Sequence, residues 1–262
     1  MVKGLYTAYT GMLNEQNRMD TLTNNLANSA TIGFKKEGST SQSFSSLLVE
    51  KIKDTSESPN VGRIIGTSTP GVKIGENYTD YSQGSFQSTG NTYDMALSGD
   101  GFYTVDFTNK SGVTSEKYTR DGSFIVNDAG YLVTKDGDFV MGDDGSGNLT
   151  KIKLDPTKEA SIDQTGAISQ NDAKVAQLKI TDFEDYNYLE HYGENYYQTV
   201  DGATEKTANA KVFSGYLEAS NVQVVSEMVD MISITRAYES NQKVLKAYDD
   251  TLSIAVNQLG KV

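Results

Sequence analysis

Cysteine is missing from this 262-residue chain, and histidine and proline nearly so, with one and three residues respectively. The first absence removes disulfides, thiolate metal sites and thiol nucleophiles together, and it suits a chain that must pass unfolded between redox compartments. No apolar run approaches the roughly 20 residues that span a bilayer, so no membrane insertion is expected. Positive charge is also short: 23 Lys and Arg against 35 Asp and Glu leave a net charge of −12. The charges are scattered rather than blocked, so neither nucleic acid nor an anionic membrane is an expected partner. The amino-terminal stretch MVKGLYTAYTGMLNEQNRMD has one early lysine. It has neither an uninterrupted apolar segment nor a small-residue cleavage site, so a leader for the general secretory route is not expected.

What is present divides ends from middle. The three prolines are interior, at 59, 70 and 156, and most glycines lie between the two ends. At the amino end Leu5, Ala8, Met12, Met19, Leu22 and Leu26 recur at steps of three and four, with one of seven, on one face of a helix. At the carboxyl end Val224, Met231, Tyr238, Leu245, Leu252 and Leu259 stand seven apart without a break, flanked by Met228, Ile234, Tyr248, Ala255 and Val262. A strict seven-residue repeat makes a narrow seam best buried by a second helix supercoiling alongside, whereas a helix docked alone on a globular core usually needs a broader stripe. The expected fold is therefore α+β: discontinuous terminal α-helices pairing as a coiled coil around a β-rich middle domain. The repeat alone permits a pair within one chain, a dimer or a polymer.

The middle reads differently. Asp121-Gly122, Asp136-Gly137 and Asp144-Gly145, with Asp128-Ala129-Gly130 in series, punctuate the β-prone runs SFIV, YLVT and DFVM. Such dipeptides supply the positive φ of tight hairpin turns, so Gly99 to about Leu154 reads as an antiparallel meander. AKVAQLKITDF adds one more strand, and Tyr186, Tyr188, Tyr192, Tyr196 and Tyr197 suit strand edges or exposed packing surfaces. The expected segments are residues 1–35 as an amino-terminal core helix and turn, 36–95 as linker and intermediate segment, 96–189 as the β-rich outer domain, 190–214 as a return segment and 215–262 as the carboxyl-terminal core helix.

Catalytic chemistry finds little support. His191 sits in a Tyr-rich, acidic stretch with no nucleophile motif, and a strand-end histidine is the simpler reading. GDDGSGNLTKIKLD spaces Asp144, Ser146, Asn148 and Asp155 somewhat like a calcium loop, but Leu149 stands where the sharp turn requires glycine, so a Gly-rich hairpin is expected and no metal. Asp182, Glu184 and Asp185 are a carboxylate cluster of the kind any acidic chain contains. No phosphate-cradling motif appears, no cofactor is expected, and the chain does not read as an enzyme.

The ends, LYTAYTGMLNEQNRMDTLTNNLANSATIGFKK and GYLEASNVQVVSEMVDMISITRAYESNQKVLKAYDDTLS, together resemble the bacterial flagellar rod and hook family of axial proteins. SQGSFQSTGNTYDMALSGDGFYTV, YTRDGSFIVNDAGYLVTKDG and the ITDF and YGENYY pieces resemble it too. The resemblance implies a structural subunit of the flagellar basal body, outside the cytoplasmic membrane, exported by the flagellar type III apparatus and polymerising with itself into a hollow helical shaft. Adjacent rod and hook proteins and the export apparatus are then its partners. It also implies terminal helices packed around the export channel. The assembly residues expected on that basis are Leu5, Met12, Met19, Leu22, Leu26, Val224, Met228, Met231, Tyr238, Leu245, Leu252 and Leu259, with Asn24, Asn25 and Asn28 as uncharged register-setting amides. Gly33 would let the chain leave the core, with Phe34 as an anchor. A surface adhesin or lectin-like module built on the tyrosines, and a carbohydrate hydrolase built on paired carboxylates, are the competing readings.

Overall fold

A computed structural model describes residues 2–51, 63–109, 112–143, 149–171, 173–193 and 195–259. It divides into two compact units, one made of the described parts of Met1–Ala27, Glu37–Asp80 and Gln223–Val262, the other of Asn28–Lys36 and Tyr81–Val222.

In the first, helical unit, α1 (Val2–Ala27) and α2 (Val224–Ile254) are the long elements. Neither contains proline, and α2 contains no glycine either, so nothing breaks the backbone ladder over its 31 residues, about 46 Å. A π-helical turn, Ala255–Leu259, follows α2. The stretch expected as linker and intermediate segment carries strands. It holds β1 (Glu37–Ser43), β2 (Leu47–Lys51), β3 (Arg63–Ser68) and β4 (Val72–Thr79), with β1 antiparallel to β4 and β2 antiparallel to β3. Apolar alternation is absent from EGSTSQS; what holds β1 is pairing, with Thr40 Oγ1 filling the bulge by donating to Glu76 O and accepting from Glu76 N. Ser41 Oγ also donates to Asn14 Oδ1, tying the strand to α1.

The second, β unit carries β5 (Phe86–Ser88), β6 (Met95–Ser98), β7 (Phe102–Thr108), β8 (Thr114–Thr119), β9 (Phe124–Val126), β10 (Leu132–Thr134), β11 (Phe139–Asp143), β12 (Leu149–Lys151), β13 (Ala160–Ile162), β14 (Ala167–Gln170), β15 (Ala173–Leu178), β16 (Ile180–Phe183), β17 (Leu189–Tyr192), β18 (Tyr196–Thr199), β19 (Glu205–Thr207), β20 (Lys211–Ser214) and β21 (Tyr216–Glu218). Tight turns stand at Asp128–Gly130 and Asp136-Gly137, where Gly130 and Gly137 have positive φ; Gly122 does not, and it joins β8 to β9, which do not pair, while Asp144-Gly145 lies outside the described residues, so the sheet is not a simple meander. The β9–β10–β11 run folds back so that β11 pairs with β7, while β8 pairs with β18. The single strand expected from AKVAQLKITDF is two, β15 and β16, which separate at Lys179 and join different neighbours. Residues 190–214, expected as a return segment, hold the end of β17 and all of β18, β19 and β20. Of the calcium-like stretch, Asp144, Ser146 and Asn148 lie outside the described residues, while Asp155 accepts from Thr157 and pairs with Lys158.

Because neighbouring side chains of a strand point to opposite faces, β7 serves two cores. Tyr103 and Val105 join Met95, Leu97, Phe124, Leu132, Val140, Ile152 and Ile168 in a mainly aliphatic cluster, whereas Phe102 joins Tyr118, Phe183 and Tyr197 in a wholly aromatic one. Of the tyrosines expected at edges, Tyr197 is fully buried and only Tyr188 is exposed.

Candidate assembly site

The helix pair is antiparallel and close. A Cβ on Gly4 would run into the Tyr248 phenol, and one on Gly11 would stand 3.0 Å from Asn241 Nδ2. Seven residues along α1 therefore match seven back along α2, and the same register brings Asn25 to Glu227 fourteen further on. The inward side of α2 carries Glu227, Ile234, Asn241 and Tyr248; Met231, Tyr238 and Leu245 of the seven-spaced row stand beside them, half-buried. Leu5, Met12, Met19, Leu22 and Leu26 of α1 are half-buried too, and Ala8 is buried. Val224, Met228 and Leu252 are exposed, and the side chain of Leu259 lies outside the described part.

The asparagine triplet resolves unexpectedly. Asn24 lies on the exposed side of α1, and Asn28 begins the following turn, where its Oδ1 accepts from Thr31 Oγ1. Asn25 is the buried one, at 0% exposure. Its Nδ2 donates to Glu37 O at 2.7 Å and to Glu227 Oε2 at 3.3 Å, and its Oδ1 accepts from Glu37 N at 2.9 Å. One side-chain amide thus mimics a backbone partner for the start of β1 while holding a buried carboxylate in the first turn of α2, the end where a helix dipole favours negative charge.

In the β unit, Gly33 and Phe34 are both buried. Gly33 has φ +71°, and a Cβ there would lie 2.6 Å from Arg120 C and Asp121 N, so both conformation and space demand glycine. Its N–H donates to Glu218 O, and the Phe34 ring meets His191 edge-on at 6.4 Å. Next to them is a charge cluster that sequence reasoning missed. Glu218 Oε1 accepts from Lys35 Nζ at 2.6 Å and from Gly84 N at 2.9 Å, and its Oε2 accepts from Arg120 at 3.2 Å; all three ionic side chains are 3% exposed or less. Lys35 also donates to Ser82 O, and Arg120 to Gly99 O. Nothing in GFKK, TRDGS or GYLEAS marks these charges as buried, because a lone charge normally reads as solvated and the partners lie far apart in the chain.

His191 stands on β17 with its ring edge-on to Tyr197, and its buried Nε2 has no hydrogen-bond partner among the described residues. No carboxylate among the described residues orients it. Among the described residues no helix is long and apolar enough to cross a membrane.

Three family models match the chain. That of the flagella basal body rod protein covers residues 5–35, that of the flagellar hook protein FlgE/F/G D1 domain 96–170, and that of the flagellar basal body rod FlgEFG protein C-terminal 214–259. The flagellar basal-body rod protein FlgG of Bacillus subtilis (strain 168) is 32% identical over 274 residues, covering 98% of this chain and 99% of that protein. The chain belongs to the flagellar basal-body rod protein family. A second rod relative, FlgF of Caulobacter vibrioides, is also 32% identical and covers the whole of both chains. The flagellar hook-basal body complex protein FlhO of Bacillus subtilis is 30% identical over the whole of both. The rod-family matches fall on α1 with its turn, on β6 to β14, and on β21 with α2, and none of them describes an enzyme. This is a structural protein of the rod and hook family.

Proposed function

We propose that the chain polymerises with copies of itself, through its terminal helices, into a hollow helical shaft that surrounds the export channel and transmits torque from motor to hook. The observation that carries this reading is the helix pair itself: after α1 and α2 have buried one face against each other, apolar residues such as Val225, at 77% exposure, remain on the outside. A chain that stayed monomeric would gain nothing from such a surface. The finer packing proposed for the pair is a coiled coil, with Met231, Tyr238 and Leu245 as one seam row and Glu227, Ile234, Asn241, Tyr248 and Ala255 as the other, so that some expected assembly residues act within the chain.

Within the family the distal rod is the position we assign, on total length and on the Tyr118–Phe124 and Arg236–Glu239 stretches; the proximal rod or the hook is the alternative. Location in the flagellar basal body, export by the type III apparatus, and contact with neighbouring rod and hook proteins follow from that assignment. Deleting the gene should leave cells non-motile, with basal bodies that stop short of the hook, and restoring it should rebuild the full shaft. A motile deletion strain with a complete rod would overturn the reading.

A further inference from the structure

Two apolar stripes on the helical unit are exposed among its described residues. On α1 they are Tyr6 (58% exposed), Tyr9 and Leu13; on α2, Val225, Val229 (61%) and Ile232. Each of these six stands two positions from a residue of the pairing face: Tyr6 from Gly4, Tyr9 and Leu13 from Gly11, Val225 and Val229 from Glu227, Ile232 from Ile234. Two positions are about 200° around a helix, so each stripe points away from the opposite helix and the two lie on opposite sides of the pair.

From this we infer that the α1 stripe of one copy packs on the α2 stripe of the next, with Tyr6 against Ile232, Tyr9 against Val229 and Leu13 against Val225. The inference rests on the proposed self-assembly and specifies its contact. Three features select a second copy as the occupant. The steps match: three then four forward along α1, three then four backward along α2. They match only when the two helices run antiparallel, which is the sense in which α1 of one copy meets α2 of a parallel neighbour. Neither stripe contains a charge. Because the stripes differ and face opposite ways, the contact is heterologous and leaves one stripe of each kind open at the ends, the condition for an open filament rather than a closed dimer. The register also sets a stagger. Within one chain Leu13 is level with Glu239, whereas in the contact it meets Val225; those fourteen residues correspond to about 21 Å of axial displacement between neighbours.

The absence of cysteine makes the test free of background. Full-length chains carrying Tyr9→Cys or Val229→Cys are mixed under conditions where the wild-type chain forms rods, treated with a short bismaleimide and run on a denaturing gel. The expected result is linked dimers in the mixture, none from either variant alone, and a ladder from the double variant. Leu13→Cys with Val225→Cys should repeat the pattern, so that one badly tolerated substitution does not decide the outcome. Dimers from Val229→Cys alone would mean a two-fold contact and overturn the inference, as would rods whose mixed variants do not link at either pair. Failure of the wild-type chain to form rods would instead remove the assembly reading, and this contact with it.

Discussion

At the scale of single residues, stability rests on polar groups buried with their partners. Removing the Asn25 amide strands the N–H and C=O of Glu37 and takes a donor from Glu227, so Asn25→Ala should cost about 1–3 kcal/mol in denaturant unfolding followed through the helix signal. Asn25→Asp should cost more, because it sets a second carboxylate against Glu227 in a dry site. An unchanged midpoint for both variants would remove Asn25 from the architecture. Asp182 gives a pH test. Burial pushes its carboxyl up, but hydrogen bonds from Tyr186 Oη, the Phe183 N–H and Lys206 outweigh this and hold it below the ordinary aspartate value. A carboxyl lowered in the folded state contributes fully above the unfolded value, about 3.9, and that contribution is lost as the pH falls through the folded one. Thermal melts from about pH 6 to about pH 2 should therefore show Asp182→Asn less stable than the wild type at the upper end and the gap narrowing toward the lower. A gap that stays constant would show that the hydrogen bonds do not favour the ionised form.

At the scale of elements, the helix pair should be separable from the sheet. Leu245 is half-buried on the pairing side of α2, so Leu245→Asp puts a charge into a helix contact, costing several kcal/mol there and again in every subunit of an assembly. The variant should still be exported and keep the melting transition of the β unit, yet build no rod and leave cells non-motile; the exposed change Lys135→Gln should be silent. Normal rods from Leu245→Asp would show that the pair is not needed for assembly. Element scale is also where sequence was most informative. The heptad row of α2 and the three- and four-residue steps of α1 declared both helices, and the turns at Asp128–Gly130 and Asp136-Gly137 declared β9 to β11, because those signals are local. Strand β1 has no such signal: Ser, Thr and Gln become a strand only by pairing with β4, some 30 residues on. The return of β11 to β7 is likewise a long-range choice that turn chemistry does not specify. The stripes of Tyr6, Tyr9 and Leu13 and of Val225, Val229 and Ile232 were legible as apolar residues, but which face pairs and which stays outside emerged only from the register of α1 on α2.

At the scale of the whole molecule, the β unit is not a contiguous stretch of chain: residues 28–36 belong to it although 44 residues of the helical unit, 37–80, come before it resumes at Tyr81. That short piece contributes Phe34, fully buried, the Gly33 and Lys36 backbone donors to Glu218 and Asn221, and the Lys35 ammonium. Burying a phenylalanine is worth about 1.5–3 kcal/mol, and breaking one arm of a buried ion pair costs about 3–5 kcal/mol. Together these approach the roughly 5–15 kcal/mol by which a whole domain is stable. A fragment spanning Tyr81–Val222 should therefore be unfolded or melt far below one spanning Asn28–Val222, although every strand from β5 to β21 is present in both. Loss of the ion pair alone, through Lys35→Met in the longer fragment, should fall between them, because Phe34 and the backbone donors remain while Glu218 keeps Arg120. Near-ultraviolet circular dichroism of the tyrosines during heating reports all three. Equal melting temperatures for the two fragments would mean that residues 28–36 merely pass by the sheet, and that the buried Lys35–Glu218–Arg120 cluster is dispensable to the fold.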